Sequence, residues 1–187
     1  MTRQEIEARF EQLSAYRQAH CHRVTEVMAT LAQCHGLDSI NAFWAGYGHD
    51  LAREMSRPEL LEQADQWSIP VDPAQAREPL LLHGPVAAAW LESAGIGNPS
   101  VWNAIRFHTT GAADQDDLGK ALFIADGVEP GRNYPERAYL HDLACEHLDH
   151  AYSRLLWHTV DYLTRRGLQI HPRMQEAMMA YPNVDPS

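Results

Sequence analysis

Apolar side chains recur every three or four residues along most of this chain, and at four places the stripe they form carries a histidine or an aspartate. Val24, Val27 and Leu31 follow His20 at helical spacing, and Ile40, Phe43 and Tyr47 lead to Asp50. Val101 and Ile105 lead to His108 in the same way, and Leu118 and Leu122 lead to Asp126. This periodicity, without any run of alternating β-branched residues, specifies an all-α protein. An amphipathic helix buries its apolar stripe, so these four polar side chains face inward. A buried carboxylate without a partner is costly, and a bound cation is the simplest partner for two of them.

The helices can be bounded from local signals. Ile6, Phe10 and Leu13 mark a first helix, Gly36 closes the second, and Asp38 or Ser39 caps a third. Ser56-Arg57-Pro58 opens a short helix. A proline-bearing connection from Ile69 to Pro79 then leads to His83, just before a helix begun by Pro85. Pro99 begins the next, Asp116 or Asp117 caps another, and residues 136–166 read as one long helix or two consecutive ones stopped by Gly167. At 187 residues with 45% hydrophobic content, one domain spanning residues 1–187 is expected, with a flexible tail from about residue 181.

Several function classes are set aside. No apolar run approaches the ~20 residues that cross a bilayer, and residues 1–7 lack a signal-peptide core, so a cytoplasmic protein without membrane contacts is expected. A net charge of -10, with Lys120 the only lysine, argues against a nucleic acid polymer as partner. Cys21, Cys34 and Cys145 show no CxxC spacing and are expected as reduced thiols.

What remains is metal chemistry. His49 adjoins Asp50, and His83 sits at a helix start, giving with His20, His108 and Asp126 six ligands of the kind that Fe, Mn, Co and Zn accept. One ion would take His20, His49, Asp50 and Asp126, and a second would take His83, His108 and the other oxygen of Asp50. Such a pair generates hydroxide at neutral pH. Two divalent ions outweigh two carboxylates, which selects a polyanion, and phosphate esters or anhydrides fit best. Arg53, Arg106 and Arg132 stand near these ligands in sequence and are expected to hold phosphate oxygens and stabilise transition-state charge. From the residues alone, hydrolysis of another nucleotide or phosphoester stays open, as does a module that binds metal and nucleotide without turnover.

The segments His20-Cys21-His22-Arg23-Val24, His49-Asp50-Leu51-Ala52-Arg53-Glu54 and Leu82-His83-Gly84-Pro85-Val86 resemble those of the YqeK-like HD-domain phosphohydrolases, the bacterial symmetrical bis(5'-nucleosyl)-tetraphosphatases. So do residues 104–111, residues 125–132 and Ile170-His171-Pro172-Arg173. The resemblance implies an HD-domain helical bundle and a dinuclear centre, with iron first and Mn, Co or Zn as alternatives. It also implies cleavage of diadenosine tetraphosphate into two ADP by a metal-bound hydroxide. Carried over residue by residue, the metal ligands are His20, His49, Asp50, His83, His108 and Asp126. His83, Arg53, Arg106, Thr110, Glu129 and Arg132 become substrate contacts. A small nucleotide is the expected partner, and a homodimer stays open. Arg53 stands where lysine is usual in that family, and Gly127 replaces a common aromatic residue.

Overall fold

The computed structural model describes residues 1–183, and among them it is helical without a strand. The helices are α1 (Arg3–Gln12), α2 (Ala15–His35), α3 (Ser39–Gly48), α4 (Arg57–Gln66), α5 (Pro73–Arg77) and α6 (His83–Ser93), with a 3-10 turn at Pro79–Leu82 before α6. They continue as α7 (Pro99–Phe107), α8 (Asp117–Val128), α9 (Arg137–Glu146), α10 (Leu148–Arg165) and α11 (Pro172–Ala180). Most starts are capped by a side chain accepting an orphan N–H: Thr2, Ser14, Asp38, Ser56, Asp72, Asn98, Asp116 and His171. The long C-terminal stretch breaks at His147, where an extended residue separates α9 from α10.

Helix α2 forms the spine, packed on α3, α8 and α9, while α7 lies against α3, α6 and α8. Val24, Val27 and Leu31 are buried as their spacing requires. The stripe read through α3 is different: Ile40 and Phe43 are exposed, and the buried residues are Trp44 and the small Ala42, Ala45, Gly46 and Gly48. Small residues allow α3 to lie close against α2, so packing distance outweighs side-chain size in choosing the face. Gly127 has a similar cause, since a Cβ there would meet Leu155 Cδ2 at 2.5 Å, and α10 fills the space an aromatic side chain would need.

Two expectations about the ends and the thiols change. Cys34 and Cys145 are paired in a disulfide joining the end of α2 to α9, and Cys21 alone is a buried free thiol. Packing of α9 on α2 brings together two cysteines 111 positions apart, which no spacing rule registers. The expected tail is tied down at its start: the Tyr181 carbonyl accepts from Trp157 Nε1 at 3.0 Å, and the Tyr181 ring packs edge-on to Tyr152. The rest of the expected tail, residues 184–187, lies outside the described residues.

Candidate metal centre

The His49-Asp50 pair sits where α3 ends. The helix gives way to tight turns after Gly48, with Arg53 N donating to the Asp50 carbonyl at 2.9 Å, and both side chains end up buried. His108 follows the last residue of α7, and His83 begins α6 directly from the 3-10 turn. Helix ends therefore deliver four of the six expected ligands, while His20 projects from within α2 and Asp126 from the last turn of α8. Where Gly84 faces α7, a Cβ would lie 2.7 Å from the Ile105 carbonyl oxygen and 3.1 Å from His108 Nδ1, so only glycine lets the two helix ends approach.

Asp50 is the hub. Its Oδ2 lies 3.5 Å from both His20 Nε2 and His49 Nε2, and its Oδ1 lies 3.1 Å from His83 Nε2 and 3.7 Å from His108 Nε2. Asp126 Oδ1 is on the first side, 3.2 Å from His20 Nε2. Two groups of three, His20/His49/Asp50 and Asp50/His83/His108, each converge within 4.8 Å. Ligands at bonds of about 2.1 Å stand roughly 3.0–3.4 Å apart around one ion at octahedral or tetrahedral angles. The observed spacings suit two cation positions that share one carboxylate.

The outer nitrogens make the stronger argument. His49 Nδ1 donates to the Gly46 carbonyl at 2.8 Å, His108 Nδ1 to Ile105 at 2.7 Å, and His83 Nδ1 to Leu80. A carbonyl only accepts, so each outer hydrogen bond places the proton on Nδ1 and leaves an Nε2 lone pair facing inward. These lone pairs meet at close range, with His83 and His108 Nε2 atoms 3.1 Å apart and those of His20 and His49 3.2 Å apart. Facing lone pairs repel, and a shared cation removes that conflict. The residues present therefore fit divalent ions.

Charge is arranged to keep the carboxylates ionised. Burial alone raises the Asp50 carboxyl, but where protons on the inward Nε2 atoms stand in for cations, the charge of His49 and hydrogen bonds from His108, His49 and His83 outweigh it and hold Asp50 well below the usual carboxylate range. Asp126 is likewise lowered against its burial, by His20 and by Arg132, which grips it through the guanidinium. Burial lowers His108, favouring the neutral ring that a metal requires.

The other expected site residues divide. Arg53 and Arg132 line a pocket of about 270 Å³ over the centre, together with Asp50, His83, Thr109 and Asp126. Arg106 and Thr110 face a neighbouring cleft instead, Arg106 bonded to Asn103 and Thr110 buried against the Gly111 carbonyl. Glu129 is buried behind His20, accepting from Arg23 Nε and Gly131 N and lying 3.2 Å from His20 Nδ1; it orients a histidine and does not line the pocket. Sequence reasoning missed Arg17, which lines the pocket, reaches Asp50 Oδ2 at 2.6 Å, and has a buried Nε without a hydrogen-bond partner. Its signal was available, because Arg17 stands one turn before His20 on the same face of α2.

Comparison with known proteins extends this geometry. A family model for the HD domain matches residues 17–131. A symmetrical bis(5'-nucleosyl)-tetraphosphatase of Halalkalibacterium halodurans is 32% identical over 165 residues, 86% of each chain. A protein of the same description from Staphylococcus aureus is 29% identical over 94% of this chain and 91% of its own. The crystal structure of an HD superfamily hydrolase from Clostridium acetobutylicum, described as involved in NAD metabolism, superposes with a TM-score of 0.90 at 27% identity, covering 97% of both chains.

Proposed function

The chain belongs to the HD-domain family, and within it we propose a metal-dependent phosphoanhydride hydrolase that cleaves diadenosine tetraphosphate symmetrically into two ADP. The observation that carries this reading is the division of Asp50, each oxygen facing its own pair of histidines. The relatives named as symmetrical tetraphosphatases align over most of this chain and narrow the substrate to a dinucleoside polyphosphate.

His20, His49, Asp50 and Asp126 would hold one ion, and Asp50, His83 and His108 the other. Imidazole and carboxylate without thiolate suit Fe, Mn, Co or Zn, with iron first. Ions bound there would lower the pKa of water toward neutrality and polarise a phosphoryl oxygen. The protein's own groups do the rest. Arg17, Arg53 and Arg132 bring three guanidinium groups to the pocket wall, placed to take non-bridging oxygens of the polyphosphate. Arg17 neutralises Asp50 in this structure. With Asp50 committed to cations, the Arg17 guanidinium is released toward the substrate. Glu129 fixes the orientation of His20, and Arg23 in turn holds Glu129.

The test is product chromatography from diadenosine tetraphosphate with ferrous or manganous ion, together with metal analysis after anaerobic purification. ADP alone is expected, with two equivalents of metal, and Asp50→Ala loses both. ATP plus AMP as products, or an untouched dinucleotide, overturns the assignment.

A further inference from the structure

Cys34 and Cys145 lie in the last turns of α2 and α9, and neither takes part in the chemistry described above. Cys34 is exposed and Cys145 half-buried, so a dissolved thiol can reach the bond, whereas the third cysteine, Cys21, is buried away from solvent. Exposed disulfides are the ones that exchange readily with other thiols.

The helix held by this bond is thinly anchored. Two of the ten residues of α9, Leu140 and Ala144, are buried, and its first turn has no side-chain cap. Beside the disulfide, His35 Nε2 donates to the Ala144 carbonyl at 2.6 Å. The other end of α9, about 12 Å along the helix from Cys145, is wired to the metal centre. The last three carbonyls of α8, which no intrahelical N–H satisfies, are taken by the strap that leads into α9. Arg132 Nε donates to the Asp126 carbonyl at 2.8 Å, the Tyr134 hydroxyl to Gly127 at 2.9 Å and Arg137 Nη1 to Val128 at 3.0 Å. Arg132 also grips the Asp126 carboxylate. The turn of α8 that carries Asp126 is therefore held from the start of α9, and the end of α9 is held by the disulfide.

We infer that Cys34–Cys145 is a redox modification site that controls the metal position containing Asp126. Its reaction partner is a low-molecular-weight thiol. One thiolate attacks the exposed Cys34 sulfur and forms a mixed disulfide there, and Cys145 leaves as a thiolate that takes up a proton. A second thiolate attacks the outer sulfur of that mixed disulfide, the small disulfide departs, and Cys34 is protonated in turn. Two electrons and two protons reach the protein for each pair of thiols oxidised. With the bond open, α9 lifts from α2 and draws the 132–137 strap from the end of α8, which loosens Asp126 and Arg132. The inference rests on the two-cation reading of the centre, but not on the identity of the substrate.

Hydrogen exchange of the full-length protein, oxidised and after phosphine reduction, tests it. Amides of residues 132–146 are expected to exchange roughly tenfold faster or more in the reduced form, with those of α6 and α7 unchanged. Chelator competition on the same samples should show metal at the Asp126 position weakened about tenfold and the His83/His108 position intact. The Cys34→Ser/Cys145→Ser double variant should exchange like the reduced protein and ignore the phosphine. Should that variant fail to fold, reoxidation of the reduced wild type by a small disulfide decides, and slow exchange over 132–146 is expected to return. Equal exchange over 132–146 in both forms, protection lost evenly from every helix, or both metals held at unchanged affinity overturns the inference, even in a protein that makes ADP. Redox-dependent exchange and metal loss in a protein that makes no ADP keeps the inference and removes the hydrolase reading.

Discussion

Gly84→Ala isolates the close approach on which half of the metal centre depends. The added methyl would lie 2.7 Å from the Ile105 carbonyl oxygen, 0.7 Å inside the 3.4 Å lower edge of ordinary contact. That oxygen is backbone, and it accepts the Nδ1 proton of His108, so neither rotation nor a flexible side chain relieves the clash. The ends of α6 and α7 must separate by several tenths of an ångström, which moves His83 and His108 apart. Overpacking of this kind costs about 1–3 kcal/mol. With a urea m-value of about 2 kcal/mol/M, the unfolding midpoint falls by roughly 0.5–1.5 M. The consequence for the site is asymmetric, because His20 and His49 sit on α2 and the end of α3 and are untouched. Chelator competition should show one tight equivalent of metal in place of two, and a displacement of this size lowers kcat by up to about a hundredfold. If Gly84→Ala held both equivalents at wild-type affinity and kept its urea midpoint, the two-position reading of the centre and the packing argument beneath it would both be wrong.

Glu129→Ala removes the carboxylate behind His20 and should weaken metal at the His20/His49 position by about 10- to 100-fold in chelator competition, leaving the other position intact. Reduction of Cys34–Cys145 opens a link spanning 111 positions, for which a loss of about 2–5 kcal/mol in urea denaturation is expected. Alkylation of the unreduced, unfolded chain should tag Cys21 alone, and three tags would show the pair to be open. Asp72 has a carboxyl held below its usual range, its burial outweighed by hydrogen bonds from Gln75 and Ala74 N–H groups and by the charge of His171. Its ionised form therefore favours the folded state above the unfolded value of about 3.9 and loses that advantage as pH falls through the lowered folded value. Asp72→Asn keeps a capping side chain, so the stability gap to wild type, measured by urea titration, should be present at neutral pH and close below about pH 4.

His20 and Asp126 illustrate what local pattern reaches. Each sits within a regular helix, where a period of 3.6 residues tells which side chains face inward, and both do face the centre. The all-helical class and most helix starts follow from the same period and from caps such as Asp38, Ser56 and Asp116. Asp50 also faces inward, but by a different route: α3 ends before it, and the large residues expected on its stripe, Ile40 and Phe43, lie in solvent. Arg106 and Thr110 stand close to His108 in sequence but on the far side of the same turn, so they line the neighbouring cleft and not the metal pocket.

The sequence by itself determined that the chain is helical and that imidazoles and carboxylates occupy positions that should not meet water. Only the tertiary structure decided which of them share an oxygen of Asp50, that Arg17 joins them, that Cys34 meets Cys145, and that a second cleft opens past Leu81. The reason is physical. Periodicity is a property of one helix and fixes the direction of a side chain about its axis, whereas a site is made where several helices end, and how closely those ends approach depends on packing between residues far apart in the chain.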